Sequence, residues 1–78
     1  MELDTDKIDD AALALLVLTL HDGYRAWKGL DWEITDRLFQ KGYICDPANK
    51  AKSVYFTEEG LKRAEQLLEE LFAKRKTD

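Results

Sequence analysis

The sequence predicts one small α+β domain, mostly helical, in the order helix, short helix, helix, β-hairpin, helix. Apolar residues recur at helical spacing in residues 8–20, 32–41 and 61–72. After Gly42 the composition changes to β-branched and aromatic residues on both sides of a turn-forming segment. A chain of 78 residues accommodates a single domain, so the domain spans residues 1–78.

The first helix begins at Asp4 or Thr5, either of which can cap the free backbone N–H groups, and it is predicted to end at Gly23. Residues 11–20 are apolar on nearly every side of this helix. Such a helix is either central in the fold or partly covered by a second copy of the chain. In the second case, the side chains expected to mediate self-association are Leu13, Leu16, Leu20, Leu67 and Phe72.

A short helix is predicted over residues 24–28. The next helix, over residues 32–41, follows Asp31, which can cap it, and ends at Gly42. Trp32 stands at the start of this helix beside apolar neighbours, and it is expected to pack into the core.

Residues 43–45 and 53–56 are predicted to form the two strands of a hairpin, joined by the turn-forming residues 46–50. Thr57 is the expected N-cap of the last helix, which two glutamates follow in its first turn. The predicted inward positions of that helix are Leu61, Ala64, Leu68 and Leu71.

Composition excludes several kinds of protein. Cys45 is the only cysteine, so no disulfide can form within the chain, and a reducing compartment such as the cytoplasm is expected. The first ten residues are acidic, unlike the basic start of a signal peptide. The apolar run at residues 11–18 is far shorter than the ~20 residues of a membrane span. The expected protein is therefore cytoplasmic, with no membrane partner.

Candidate catalytic and metal-binding residues are few. His21 and Asp22 lack an assignable nucleophile and orienting group, and His21 is expected to interact with a helix C-terminus instead. Cys45 in a strand is expected to be a small apolar filler. No motif for a metal or a cofactor is present, so no enzyme, metal or cofactor is expected.

The net charge of −4 is unevenly distributed. Residues 1–22 carry −5, residues 23–56 carry +2, and residues 57–78 carry −1. The middle third is thus the only cationic part, and it is less basic than a nucleic-acid-binding face usually is.

Two sets of residues in the middle third are candidates for partner contacts. Aromatic and basic side chains alternate in the first set, which could anchor a protein partner: Tyr24, Arg25, Trp27 and Lys28. Basic side chains on the third helix and the hairpin tip form the second set, expected to contact nucleic acid: Arg37, Lys41, Lys50 and Lys52. Three acids at residues 31, 33 and 36 oppose phosphate binding by that helix.

Two runs of sequence, LFQKGYI at 38–44 and VYFTEEG at 54–60, resemble the wing region of winged-helix domains. That resemblance implies a winged-helix-like fold with residues 46–52 as the wing. The whole chain also resembles a family of small bacterial proteins known as a domain of unknown function. The runs that carry this resemblance are LTLHDG at 18–23, RAWKG at 25–29, DW at 31–32 and KAKSV at 50–54.

Together these observations predict a non-enzymatic protein–protein interaction domain, with itself (as a homodimer) or another protein as partner. The alternative is a winged-helix DNA-binding transcriptional regulator that uses helix 32–41 and wing 46–52. The broad apolar surfaces of the first and last helices favour the interaction domain, because one thin hairpin cannot cover them.

Overall fold

The computed structural model describes residues 1–21, 23, 25–27, 29–47 and 53–74, except for the side chain of Trp27. Within these residues the chain is α+β and mostly helical, as predicted. Its elements are α1 (Thr5–Leu16), a 3₁₀ turn (Val17–Thr19), β1 (Arg25–Trp27), α2 (Trp32–Gln40), β2 (Ser53–Tyr55) and α3 (Glu58–Phe72).

Helix α1 begins as predicted but ends early. Asp4 is the N-cap, and its Oδ1 accepts a hydrogen bond from the Lys7 N–H at 3.1 Å. The helix tightens into the 3₁₀ turn after Leu16, and Leu20 is already extended. Gly23 has a φ of +84°, as a helix C-cap would, but it lies instead in the turn that joins His21 to Arg25.

The predicted short helix over residues 24–28 is wrong, because Arg25–Trp27 form strand β1. This strand pairs antiparallel with β2, with Ala26 opposite Val54, and both of these side chains are buried. After the turn at Gly23 the chain continues as the extended strand β1. The backbone N–H and C=O groups of β1 bond to a strand that is distant in the sequence, so the local sequence pattern does not predict this pairing. The winged-helix resemblance is not confirmed, since the second helix of that arrangement is a strand here.

The predicted hairpin is only partly present. Residues 43–45 lie beside residues 55–57, with one bridge between Ile44 and Phe56. The Cys45 N–H donates to the Tyr55 oxygen at 2.8 Å, and the Thr57 N–H donates to the Tyr43 oxygen at 3.1 Å. The regular partner of β2 is nevertheless β1. Most of the predicted tip, residues 48–52, lies outside the described residues.

Helix α2 ends at the predicted glycine. Gly42 has a φ of +83° and its N–H donates to the Phe39 oxygen at 2.9 Å, while the Tyr43 N–H donates to the Leu38 oxygen at 3.1 Å. This pair of bonds is the Schellman motif. At the other end of α2 the prediction fails, because Trp32 is 54% exposed and does not pack into the core.

Helix α3 begins against the end of α2. The Thr57 hydroxyl accepts from the Gly60 N–H at 2.9 Å and donates to the Gly42 oxygen at 2.7 Å. A Cβ at Gly60 would overlap the backbone carbonyl of Tyr43. The absence of a side chain at Gly60 therefore lets the first turn of α3 lie directly on the chain that leaves α2.

The core lies between α1, α3 and the inner face of the small sheet. Its buried members are Leu13, Ala14, Leu16, Ala26, Leu38, Ile44, Val54, Phe56, Ala64 and Leu67. None of the helices in the described part of the chain has the length and apolar composition needed to cross a lipid bilayer.

Several predictions about the two long helices need correction. Leu13, Leu16 and Leu67 are buried inside the chain, so they do not face a second copy. Leu20 is partly buried against the core, and of the five expected self-association residues Phe72 is the exposed one. Leu71, predicted to face inward, is 51% exposed because it lies in the last turn of α3, beyond the core.

Candidate functional site

Apolar side chains of α1, the 3₁₀ turn and α3 lie beside one another on a surface that we call the α1–α3 face. It consists of Leu18, Leu71 and Phe72, which are exposed, and Ala11, Val17 and Leu68, which are half-buried. Leu68 and Phe72 lie one turn apart on the same side of α3.

Two shallow grooves run along this face. One, of about 490 Å³, is lined by the apolar side chains of Val17, Leu18, Leu68 and Phe72, with Glu65 and Glu69 also in its wall. The other, of about 480 Å³, is lined by Lys7, Asp10, Ala11, Leu71 and Phe72. Phe72 contributes to both grooves, so they form one continuous surface. Charged residues stand at both ends of it.

A second arrangement joins α1 to α2 through Asp9, which is 1% exposed. Arg37 Nε donates to Asp9 Oδ1 and Oδ2 at 2.9 and 2.8 Å, and Arg37 Nη2 lies 2.8 Å from Oδ1. Lys41 Nζ lies 2.9 Å from Asp9 Oδ2 and 3.0 Å from Asp6 Oδ1. Both oxygens of the buried carboxylate are therefore paired with cations.

These contacts determine the charge states within the cluster. Burial alone would raise the pKa of Asp9, but the hydrogen bonds and charges of Arg37 and Lys41 outweigh it and hold the pKa below its ordinary value of 3.8. Burial would likewise lower the pKa of Lys41, but Asp9 and Asp6 raise it. All three groups of the Asp9 cluster (Asp9, Arg37 and Lys41) are thus charged at neutral pH.

The residues predicted to contact nucleic acid are only partly brought together. Arg37 and Lys41 lie one turn apart on α2, but both point to Asp9 rather than away from the protein. Lys50 and Lys52 lie outside the described residues. Phosphate contacts by α2 would therefore compete with an ion cluster that holds α1 and α2 together.

The predicted partner surface at residues 24–28 remains a prediction. Tyr24, Lys28 and the side chain of Trp27 lie outside the described residues, and the guanidinium of Arg25 lies 5.1 Å from the centre of the Tyr55 ring. That geometry is a cation–π contact on the outer side of the sheet.

His21 and Cys45 show no catalytic arrangement with each other among the described contacts. The Nδ1 of His21 lies 3.0 Å from the oxygen of Thr19, the last residue of the 3₁₀ turn, which agrees with the predicted contact to a helix end. Its Nε2 lies 3.3 Å from the hydroxyl of Ser53. Cys45 is exposed, so the prediction of an apolar filler is wrong.

Sequence reasoning missed both the Asp9 cluster and most of the α1–α3 face. One signal was available for the cluster, because Asp9 has the same helical phase as Leu13 and Leu16. An acid among buried leucines calls for a cationic partner. For the face, Leu18 carried no signal of its own, since residues 11–20 are apolar on nearly every side.

The described part of the chain is thus a small, mostly helical α+β domain with a buried ion cluster and an exposed apolar face. The family model named domain of unknown function DUF6429 matches residues 4–74, and the chain belongs to this family. The uncharacterised protein y4hR of Sinorhizobium fredii is 61% identical over 74 residues, which cover 95% of this chain and 100% of that protein. No solved structure matches the chain.

Proposed function

We propose that this protein is a non-enzymatic interaction domain that self-associates through its α1–α3 face. One observation carries the proposal: three large apolar side chains, each 48–70% exposed, line two adjoining grooves between α1, the 3₁₀ turn and α3. Burying a leucine or phenylalanine side chain completely contributes about 1.5–3 kcal/mol. A second copy of the same face would bury all three at once on each side.

Other features support a binding role over a catalytic one. The buried carboxylate of Asp9 is paired with two cations, so it joins helices and keeps its charge. Apolar patches of about 300–600 Å² on small proteins are often interaction sites. A cytoplasmic location is part of the proposal and is supported by the single, exposed cysteine, which a reducing compartment keeps as a thiol.

Sedimentation velocity tests self-association at protein concentrations up to several tens of micromolar. We expect wild type to form a dimer whose fraction rises with concentration. Leu18→Ser combined with Phe72→Ser removes two exposed side chains from the face, and we expect this variant to stay monomeric with an unchanged circular dichroism spectrum.

Leu3→Ser is the matched control. Leu3 is 64% exposed but precedes α1 and lines neither groove, so its replacement should leave the dimer intact. A wild-type protein that stays monomeric throughout, or a dimer unaffected by the double substitution, would refute self-association through the α1–α3 face.

A further inference from the structure

We propose that Ser53 is a nucleophile that takes up an acyl group from a small activated acyl donor, with His21 as its general base. This inference goes beyond the proposed self-association and does not depend on it. Ser53 is the single serine of the chain, and His21 is the single histidine. The fold brings them together across 32 residues of sequence, with 3.3 Å between His21 Nε2 and Ser53 Oγ.

The backbone oxygen of Thr19 sets the tautomer of the imidazole ring. It lies 3.0 Å from His21 Nδ1. Because a carbonyl oxygen only accepts hydrogen bonds, Nδ1 carries the proton of the neutral ring and donates it to Thr19. Nε2 then keeps its lone pair and accepts from the Ser53 hydroxyl. This is the tautomer that a general base needs, and Thr19 has the orienting role that an aspartate has in the triad of serine hydrolases.

Both side chains are accessible to a reactant. His21 is exposed in the turn before β1, and Ser53 is half-buried at the first position of β2. The strand register places Ser53 and Tyr55 on the same face of the sheet, and Tyr55 lies opposite Arg25. The guanidinium of Arg25 over the Tyr55 ring is therefore on the face that carries the Ser53 hydroxyl. A positive charge there favours the negative oxygen that forms when a carbonyl carbon is attacked.

The reaction is a single acyl transfer to the protein itself, which is compatible with an interaction domain. Ser53 Oγ forms a bond to the carbonyl carbon of the donor while the hydroxyl proton moves to His21 Nε2. The carbonyl double bond then re-forms, and the leaving group departs with the electron pair of its bond and takes the proton from His21. The products are an ester on Ser53 and a free phenol, alcohol or thiol.

Mass spectrometry after treatment with p-nitrophenyl acetate tests this reactivity. Cys45→Ala serves as the background, because the exposed thiol reacts with the same reagent. We expect peptide mapping to locate an acetyl ester on Ser53. In His21→Gln the acetylation of Ser53 should slow about a hundredfold, the lower range of general-base catalysis, since glutamine can form hydrogen bonds but cannot take up the proton.

Glu70→Ser is the matched control, because it adds an exposed serine on α3 to the same chain. In the folded protein Ser53 should react about a hundredfold faster than the introduced serine. In urea the two should react alike, because unfolding separates Ser53 from His21. This comparison holds even where His21→Gln fails to fold.

Equal rates at the two serines of the folded protein would overturn the proposal, as would an unchanged rate at Ser53 in a folded His21→Gln variant. The oligomeric state measured by sedimentation does not enter either comparison. Failure of the proposed self-association and failure of this reaction are therefore distinguishable.

Discussion

Asp9 lies on the buried side of α1 beside leucines, where an unpaired carboxylate would cost several kcal/mol in lost hydration. Its two oxygens are instead surrounded by the guanidinium of Arg37 and the ammonium of Lys41. Both cations remain about 30% exposed, so their own hydration is partly retained. The cluster thus ties α1 to α2 with one buried charge rather than three.

Removing the charge of Asp9 should weaken the fold in a pH-dependent way. For Asp9→Asn we expect the free energy of unfolding at neutral pH to fall by roughly 2 kcal/mol, because a carboxylate that accepts charged hydrogen bonds is lost. A pKa below 3.8 in the folded state means that this contribution is present above the ordinary pKa and is lost as pH falls through the folded value.

Urea unfolding of both proteins from neutral to acidic pH measures the effect. The difference between wild type and Asp9→Asn should shrink as the pH drops below the ordinary pKa of Asp9. Glu70→Gln, at an exposed position, should track wild type at every pH. Equal stability of wild type and Asp9→Asn at neutral pH would show that the cluster contributes nothing.

At the scale of residues, the sequence predicted what depends on near neighbours. Asp4 and Thr57 cap helices as expected, since their partners lie three residues away, whereas Asp31 precedes α2 without a side-chain hydrogen bond to its first turn. The Arg37–Asp9 pair spans 28 residues, and no local pattern specifies such a partner. The predicted burial of Trp32 is wrong for a similar reason. Whether a residue at the start of a helix is buried depends on distant segments that pack over it, and the local sequence does not specify them.

At the scale of elements, the sequence and the structure differ on which side of helix α3 is buried. The predicted inward set included Leu68 and Leu71, but the most buried residues are Gly60, Ala64 and Leu67. Gly60 lies directly against the backbone of Tyr43, so the side of α3 that carries Gly60 faces inward. The helix therefore buries the side centred on Ala64, and Leu68 is only half-buried.

Two alanine substitutions on α3 test this phase. We expect Leu67→Ala to lower the free energy of unfolding by about 2–5 kcal/mol, the usual cost of a cavity at a buried leucine. Leu71→Ala, one turn further on, should change it by less than about 0.5 kcal/mol, as surface substitutions do. The measurement is urea unfolding at a concentration low enough to keep both variants monomeric. The reverse order of effects would place Leu71 inside and Leu67 outside.

The helices were predictable as elements and β1 was not. Helix α2 has apolar spacing and a glycine exit within its own sequence, and α3 has apolar spacing and a capping threonine. Strand β1 is three residues long and is stabilised by pairing with β2, about 28 residues further along the chain. Residues 24–28 have no pattern of their own that separates a strand from a short helix.

For the whole molecule, the charge distribution bears on nucleic-acid binding. The cations of α2 that were expected to contact phosphate are held by Asp9, and three acids lie on or next to the same helix: Asp31, Glu33 and Asp36. We expect duplex DNA to bind with a Kd no tighter than about 10⁻⁵ M at physiological salt, the range of non-specific association.

Titration of labelled random and promoter-upstream duplexes at two salt concentrations measures this Kd. Lys50→Glu/Lys52→Glu serves as the control for contacts from the predicted wing. Nanomolar binding of one duplex, lost in that control variant, would make a DNA-binding regulator the better interpretation.

Self-association stays a prediction, and the structure changes the residues that are available to mediate it. The first and last helices carry more apolar surface than one small core can bury, and this excess is visible in the sequence. Which leucines remain outside depends on how α1 and α3 face each other. That packing put Leu13, Leu16 and Leu67 inside and left Phe72, with Leu15 and Leu18, on the surface.

The contact of Gly60 with Tyr43 also bears on how this family can diverge. Every replacement for glycine adds a Cβ, and at position 60 that atom has no space, so each missense mutation of this codon should be eliminated by selection for folding. Gly23 has a positive φ but open space where a Cβ would lie, and asparagine adopts that conformation readily. Across distant relatives, position 60 should stay glycine while position 23 drifts between glycine and asparagine.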